Sequence, residues 1–245
     1  MASYHLSIKS GKPGTAANHA AYIARQGKHG TNGKRDDLIA TESRNLPAWA
    51  NGDPALFWKM ADAHERVNGA AYREFELALP KELTTEENMA LVRDFIAAEL
   101  GDKTSQVSFH LPQAAIGKCD QPHVHAMFSD RMPDGIDRSP DIYFRRHNSA
   151  HPEMGGCKKD SGGKHRGLMK EELKSRRETW AQLQNAYLEK HGHDERVDPR
   201  SNKERGIERG AERHLGPAKI KRMSDDEKGR VMAQRVCGTK DSSCF

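Results

Sequence analysis

Apolar and polar residues alternate along four short stretches, the mark of strands with one buried face. In Ser3 to Lys9, Tyr4, Leu6 and Ile8 oppose Ser3, His5, Ser7 and Lys9. In Tyr72 to Leu79, Phe75, Leu77 and Leu79 oppose Tyr72, Glu74, Glu76 and Ala78, and Pro80 ends the run. In Gln106 to Leu111, Val107, Phe109 and Leu111 oppose Ser108 and His110. In Pro122 to Phe128, Val124, Ala126 and Phe128 oppose His123, His125 and Met127. The last two stretches are joined by a loop containing Gly117 and Cys119, and they predict an antiparallel hairpin over 106–129.

Between the strands the period changes to that of helices. Thr84 and Glu87 predict a capping box for a helix ending near Gly101, with Leu91, Val92, Phe95, Ile96 and Leu100 as its apolar stripe. Thr15 is expected to cap an Ala-rich helix reaching Arg25, with Asn18, Tyr22 and Arg25 on one side. A helix from about Ala55 to Val67 follows the Asn51-Gly52-Asp53-Pro54 turn; its Trp58 suits a core or a nucleic-acid surface equally. A long helix is predicted from Leu168 to His191, stopped by Gly192. Residues 27–37 read as a polar loop, 151–167 as a mobile loop, and 197–217 as a charged, basic segment. The last stretch has little apolar content and is expected to be a frayed helix or disordered.

Composition narrows the classes. The 245 residues are 35% hydrophobic and 31% charged, enough for one large domain with much solvated surface. A net charge of +5 and a pI near 9.0 fit a polyanionic partner without requiring one. Cys119, Cys157, Cys237 and Cys244 lack C-x-x-C spacing, so they are expected to be reduced thiols in a cytoplasmic protein. No signal peptide or long apolar run predicts secretion or membrane insertion, and no G-x-x-x-x-G-K-[ST] predicts a nucleotide site.

The chemistry lies on the polar faces. His123 and His125 are two residues apart on one face, roughly 7 Å along the strand, and His110 is placed to join them. Three imidazoles form a metal site with open positions, which suits zinc, manganese, cobalt or nickel, whereas magnesium prefers oxygen. Either Glu74 or Glu76 suits the role of fixing a histidine tautomer or taking a proton. Tyr22 suits a nucleophile: a phenol aided by a cation and a carboxylate attacks a phosphodiester to give a phosphotyrosine. Solvated surface acids and an ordinary helix tyrosine are the plain alternatives.

The chain resembles the MobA/MobL family of plasmid mobilisation relaxases, within the HUH endonuclease superfamily, and most closely the IncQ-type relaxase domains. The likeness runs through Tyr4-His5-Leu6, Ala21-Tyr22-Ile23 to Gly27-Lys28, and Glu74 to Pro80. It continues through His110, Pro122-His123-Val124-His125, Asp134-Gly135-Ile136 and Gly155-Gly156. It closes with Gly206-Ile207-Glu208 and His214-Leu215-Gly216-Pro217. The resemblance implies an α+β fold, a central antiparallel sheet with a histidine triad on one face and helices packed on the other. The relaxase domain would cover residues 1–220, with 221–245 a short tail.

Further implications follow from the resemblance. Tyr22 would be the catalytic tyrosine, His110, His123 and His125 the metal ligands, and Glu74, less certainly Glu76, the supporting acid. The metal would be a divalent ion, Mn2+ or Mg2+ first, with Zn2+, Co2+ or Ni2+ as alternatives. The substrate would be single-stranded or melted origin-of-transfer DNA, and relaxosome accessory proteins and a type IV coupling protein would be partners. The location would be the bacterial cytoplasm, with the protein carried along with transferred DNA. Arg25, Lys28, Arg145 and Arg146 are candidate phosphate contacts. Rivals are a rolling-circle replication initiator, a metal-water hydrolase and a non-catalytic origin-binding repressor.

Overall fold

A computed structural model describes residues 4–30, 37–114, 116, 119–208, 215 and 217–240. Its centre is one five-stranded antiparallel sheet. The strands are β1 (Leu6–Gly11), β2 (Leu38–Arg44), β3 (Tyr72–Ala78), β4 (Ser105–His110) and β5 (His123–Phe128), in the spatial order β1-β3-β5-β4-β2. The hairpin read from the sequence is present, with β4 and β5 adjacent and antiparallel. The helices are α1 (Ala16–Ile23), α2 (Pro54–His64), α3 (Thr85–Leu100), α4 (Pro140–Tyr143), α5 (Arg166–Lys190), α6 (Pro217–Arg222) and α7 (Asp225–Lys240).

The register sorts side chains onto two faces. Leu6, Phe75, Leu77, Val107, Phe109, Val124, Ala126 and Phe128 form one buried cluster with α3 and α5. Phe95 of α3 sits between Phe75 and Trp180 of α5, with ring centroids 5.6 and 4.9 Å away. Each fully buried side chain of this size contributes about 1.5–3 kcal/mol, so this layer supplies most of the fold's cohesion. The predicted capping box opens α3: Thr84 Oγ1 accepts from the Glu87 amide and Glu87 Oε2 from the Thr84 amide.

The histidine face is covered as well. α1 and α2 lie over part of it and bury Ala20, Ile23, Phe57, Trp58, Ala61, Tyr72 and Met127 in a second cluster. Trp58 therefore belongs to the core. Its indole N–H donates to Gln106 Oε1 at 2.9 Å, and Gln106 Nε2 donates to the Ala20 carbonyl at 3.1 Å. One buried amide on β4 thus ties both helices to the sheet.

Several expectations need correction. β2 lies in a stretch for which no strand was expected; it is an edge strand with alternating half-buried and exposed positions, and its apolar signal is too thin to read. α1 stops at Ile23 because Arg25 takes a left-handed backbone, φ 51°. Thr15 does not cap α1, since its hydroxyl donates to the Lys12 carbonyl. Instead Asp62 of α2 accepts from the amides of Gly14, Ala16 and Ala17 at 2.7–2.9 Å. α2 ends at His64, leaving Val67 87% exposed.

The segment 151–167 is docked rather than loose. Gly155, Gly156 and Cys157 are buried, and Lys159 bridges to Arg131 as an isolated pair. Ser3, Gly117, His214 and Gly216 lie outside the described residues. Cys119 and Cys157 are free thiols. No helix among the described residues is long and apolar enough to cross a membrane.

Candidate active site

The three histidines meet at one end of the sheet. His110 on β4 is paired in register with His123 on β5, and His125 follows two residues on, opposite Glu76 of β3. Their ring centroids form a near-equilateral triangle with sides of 5.2, 5.3 and 5.5 Å.

Hydrogen bonds set the tautomers. His125 Nδ1 lies 2.7 Å from Glu74 Oε1, and His123 Nδ1 lies 3.0 Å from the Gln121 carbonyl. Both partners are acceptors, so Nδ1 carries a proton in each ring. Both nitrogens of His110 are buried and make no hydrogen bond to a described residue; its Nδ1 is 3.8 Å from Asp37 Oδ2. Burial, with the nearby Arg25 charge, lowers the His110 pKa to about 4, and burial lowers that of His123 too. Those two imidazoles are therefore neutral donors at physiological pH. A set of three imidazoles fits a divalent transition metal such as Mn2+ or Zn2+.

An overlapping set exists on the β3 side, where donor atoms of Glu74, Glu76 and His125 all fall within 4.8 Å. There the acids are already engaged. Glu74 Oε1 accepts from His125, and Glu76 binds the Lys9 ammonium and the Ser7 hydroxyl, the latter at 3.1 Å. Glu74 stands behind His125, on the Nδ1 side of its ring. Burial alone would raise the Glu74 pKa, but His125 and His19 outweigh it and hold it at about 2.

Tyr22 sits on α1, 39% exposed. Two chains of contact run from it toward the triad. In the first, its ring stacks on His19 at 6.0 Å, His19 Nε2 lies 3.0 Å from Glu74 Oε1 though poorly aligned for a hydrogen bond, and Glu74 reaches His125. In the second, the Arg25 guanidinium lies 5.0 Å from the Tyr22 ring centroid and grips Asp37 with two hydrogen bonds of 2.9 and 2.7 Å, and Asp37 faces His110. His29 presents its edge to Tyr22 at 5.5 Å and bonds to Asn18.

His19 and Asp37 carry no role in the sequence pattern. Only the i, i+3 spacing of His19 and Tyr22 hinted that they share a helix face. Of the expected phosphate contacts, Arg25 is only 9% exposed and is held by Asp37 and the Tyr22 carbonyl, so it is a structural group. Lys28 is exposed beside this site, whereas Arg145 and Arg146 lie beyond the other end of β5. The region 31–36, with Lys34 and Arg35, is outside the described residues.

Fold and site together define an α+β protein with a carboxylate-backed three-histidine cluster on one sheet face. The model of the MobA/MobL family matches residues 23–225. The 43 kDa relaxation protein of Salmonella typhimurium is 50% identical over 210 residues, 85% of this chain and 56% of that protein. Mobilization protein A of Escherichia coli is 38% identical over 220 residues, 89% of this chain and 30% of that protein. A solved structure, "Molecular Basis of Vancomycin Resistance Transfer in Staphylococcus aureus", has a similar fold, with a TM-score of 0.59 at 21% identity over 82% of this chain and all of that one. The chain belongs to the MobA/MobL family. It spans about half the length of the Salmonella relative and under a third of the Escherichia coli one.

Proposed function

We propose that this chain is a DNA relaxase that nicks one strand at a plasmid transfer origin through Tyr22 and later reseals it. The observation that carries this reading is the contact chain Tyr22–His19–Glu74–His125, which couples a half-exposed phenol to the histidine cluster. The 50% identity to a protein named for relaxation supports it.

In this reading the Tyr22 oxygen attacks the scissile phosphorus and its proton passes to solvent. The bond from phosphorus to the 3′ oxygen breaks, and that oxygen takes up a proton and leaves as a free hydroxyl. The 5′ phosphate stays esterified to Tyr22, and attack by the 3′ hydroxyl reverses the step. One phosphodiester is exchanged for another, so no nucleotide is needed. His110, His123 and His125 would hold a divalent cation, Mn2+ or Mg2+ by the resemblance, which would supply Lewis-acid stabilisation of charge on the non-bridging oxygens. A carboxyl held at about 2 is a weak proton acceptor at neutral pH, so we assign Glu74 to positioning His125 rather than to deprotonating the phenol. Residues 1–220 would be the nicking unit, acting in the cytoplasm on single-stranded or melted DNA.

End-labelled single-stranded origin DNA, incubated with Mn2+ and wild type or Tyr22→Phe, tests the reading. A denaturation-resistant protein–DNA adduct is expected with wild type alone. Cleavage without an adduct, surviving in Tyr22→Phe, would overturn it in favour of a metal-water hydrolase.

A further inference from the structure

A cavity of about 210 Å³ opens at the far end of β5 from the histidines. Six cations line it: Arg66, Arg131, Arg145, Arg146, Lys158 and Lys159. Among the described residues, no carboxylate does. Such a density of one charge sign is self-repelling and needs an external anion or a rigid frame.

The frame is visible. Arg131, almost fully buried, donates to Glu65 Oε2 at 2.8 Å and to the carbonyls of Arg145 (2.9 Å), Cys157 (2.8 Å) and Phe144. Lys159 donates to the Ala70 carbonyl at 2.8 Å and pairs with the same Glu65 at 3.0 Å. Glu65 is thus shared between buried Arg131 and part-buried Lys159, and Lys159 also feels the buried Asp130, so the floor is a held ion-pair network.

The Gly155-Gly156 pair sets the wall. A Cβ on Gly156 would sit 2.7 Å from the Tyr143 carbonyl and 2.8 Å from the Arg145 amide; one on Gly155 would sit 2.8 Å from Asn148 Cβ. Only glycine lets this segment press onto residues 143–148, where the Gly156 amide donates to the Arg146 carbonyl at 3.2 Å. On the rim, Arg146 and Lys158 are exposed and pair with no described acid, Arg145 pairs with exposed Asp141, and Arg66 lies a loose 3.8 Å from Glu65.

We propose that this cavity is a second DNA anchor that grips backbone phosphates away from the cleaved bond. The inference rests on the relaxase reading above. Given the rise along β5, the cavity lies roughly 20 Å from the histidine end, a span of about six phosphates of a stacked strand. The arginine forks and lysine ammoniums of the rim suit non-bridging phosphate oxygens and read no base. The anchor therefore adds affinity and register without sequence preference.

The test uses the full chain and two origin oligonucleotides that share the nick site. One extends well past the gap on both sides and the other is trimmed close to the nick. The double variant Arg66→Glu/Lys158→Glu should bind the long strand about 10- to 100-fold more weakly in fluorescence anisotropy, with the salt slope reduced by about 1 to 2. It should cleave the trimmed strand at the wild-type rate, and Arg66→Gln/Lys158→Gln should lose less affinity for the long strand. Unchanged affinity for the long strand would overturn the anchor, as would equal losses on both strands. If wild type forms no adduct with either strand, the nicking reading fails by itself, and anisotropy still decides the anchor.

Discussion

Glu74 Oε1 and His125 Nδ1 meet at 2.7 Å across the β3–β5 pairing, so the ring donates to the carboxylate through Nδ1. Glu74→Gln preserves shape and an acceptor oxygen but removes the negative charge that makes the His125 ring a stronger donor to a metal. Affinity for Mn2+ measured by calorimetry should fall about 10- to 100-fold. DNA binding in metal-free buffer should be unchanged. Equal Mn2+ affinity in variant and wild type would show that Glu74 does not orient the ligand.

Gly11, at the end of β1, lies flat beneath the Tyr72 ring, and a Cβ there would overlap it. Tyr72 stacks on His19 at 5.0 Å, and His19 stacks in turn on Tyr22. Gly11→Ala should push this stack outward. Stability in urea should drop by about 1–3 kcal/mol, the usual range for overpacking. Adduct formation should slow by more than that loss of folded protein explains. A variant with lower stability but wild-type adduct kinetics would uncouple Gly11 from the site.

Asp62 holds the start of α1 from a neighbouring helix through three amides. Asp62→Ala leaves those donors without their acceptor, at a cost of about 1–3 kcal/mol. Hydrogen exchange should speed up first in residues 14–23, before the sheet responds, and nicking should fall with it. Uniform acceleration across the protein would mean that Asp62 supports the whole fold rather than α1.

Asp160 gives a pH signature. Burial would raise its pKa, but the Lys103 and Lys164 ammoniums, at 2.7 and 2.8 Å, outweigh it and hold it at about 2. A depressed carboxyl stabilises the fold above its unfolded pKa near 3.8, and the contribution is lost as pH falls through about 2. Wild type should therefore exceed Asp160→Asn by at most about 2 kcal/mol at neutral pH. The gap should close between pH 4 and pH 2 in thermal melts. A gap that is constant across that range would mean that the ion pairs do not carry it.

Strand alternation made β1, β3, β4 and β5 legible, because each has one face with an apolar residue at every second position. The same alternation put Glu74, Glu76 and the three histidines on one face, and the register bears this out. β2 escaped because Ile39 points to solvent and Ala40 buries little surface, so no period stands out. Asp62 capping α1 and Asp37 holding Arg25 are contacts between residues far apart in sequence or across a loop, and no local pattern encodes them. The docking of 151–167 was hidden for a related reason: its Gly and Lys content resembles a flexible linker, whereas here the glycines permit close approach and part-buried Lys159 pairs with Glu65.

β5 is the third of five strands, hydrogen-bonded on both sides, and it carries two of the three histidines. Fraying of a sheet starts at its borders, so β1 and β2 can breathe while the spacing of His123 and His125 persists. Tyr22 rides instead on a short helix whose first turn is fastened by a neighbour. The molecule thus separates a stationary anvil from a lighter hammer, and a force on α1 can be taken up without distorting the three imidazoles.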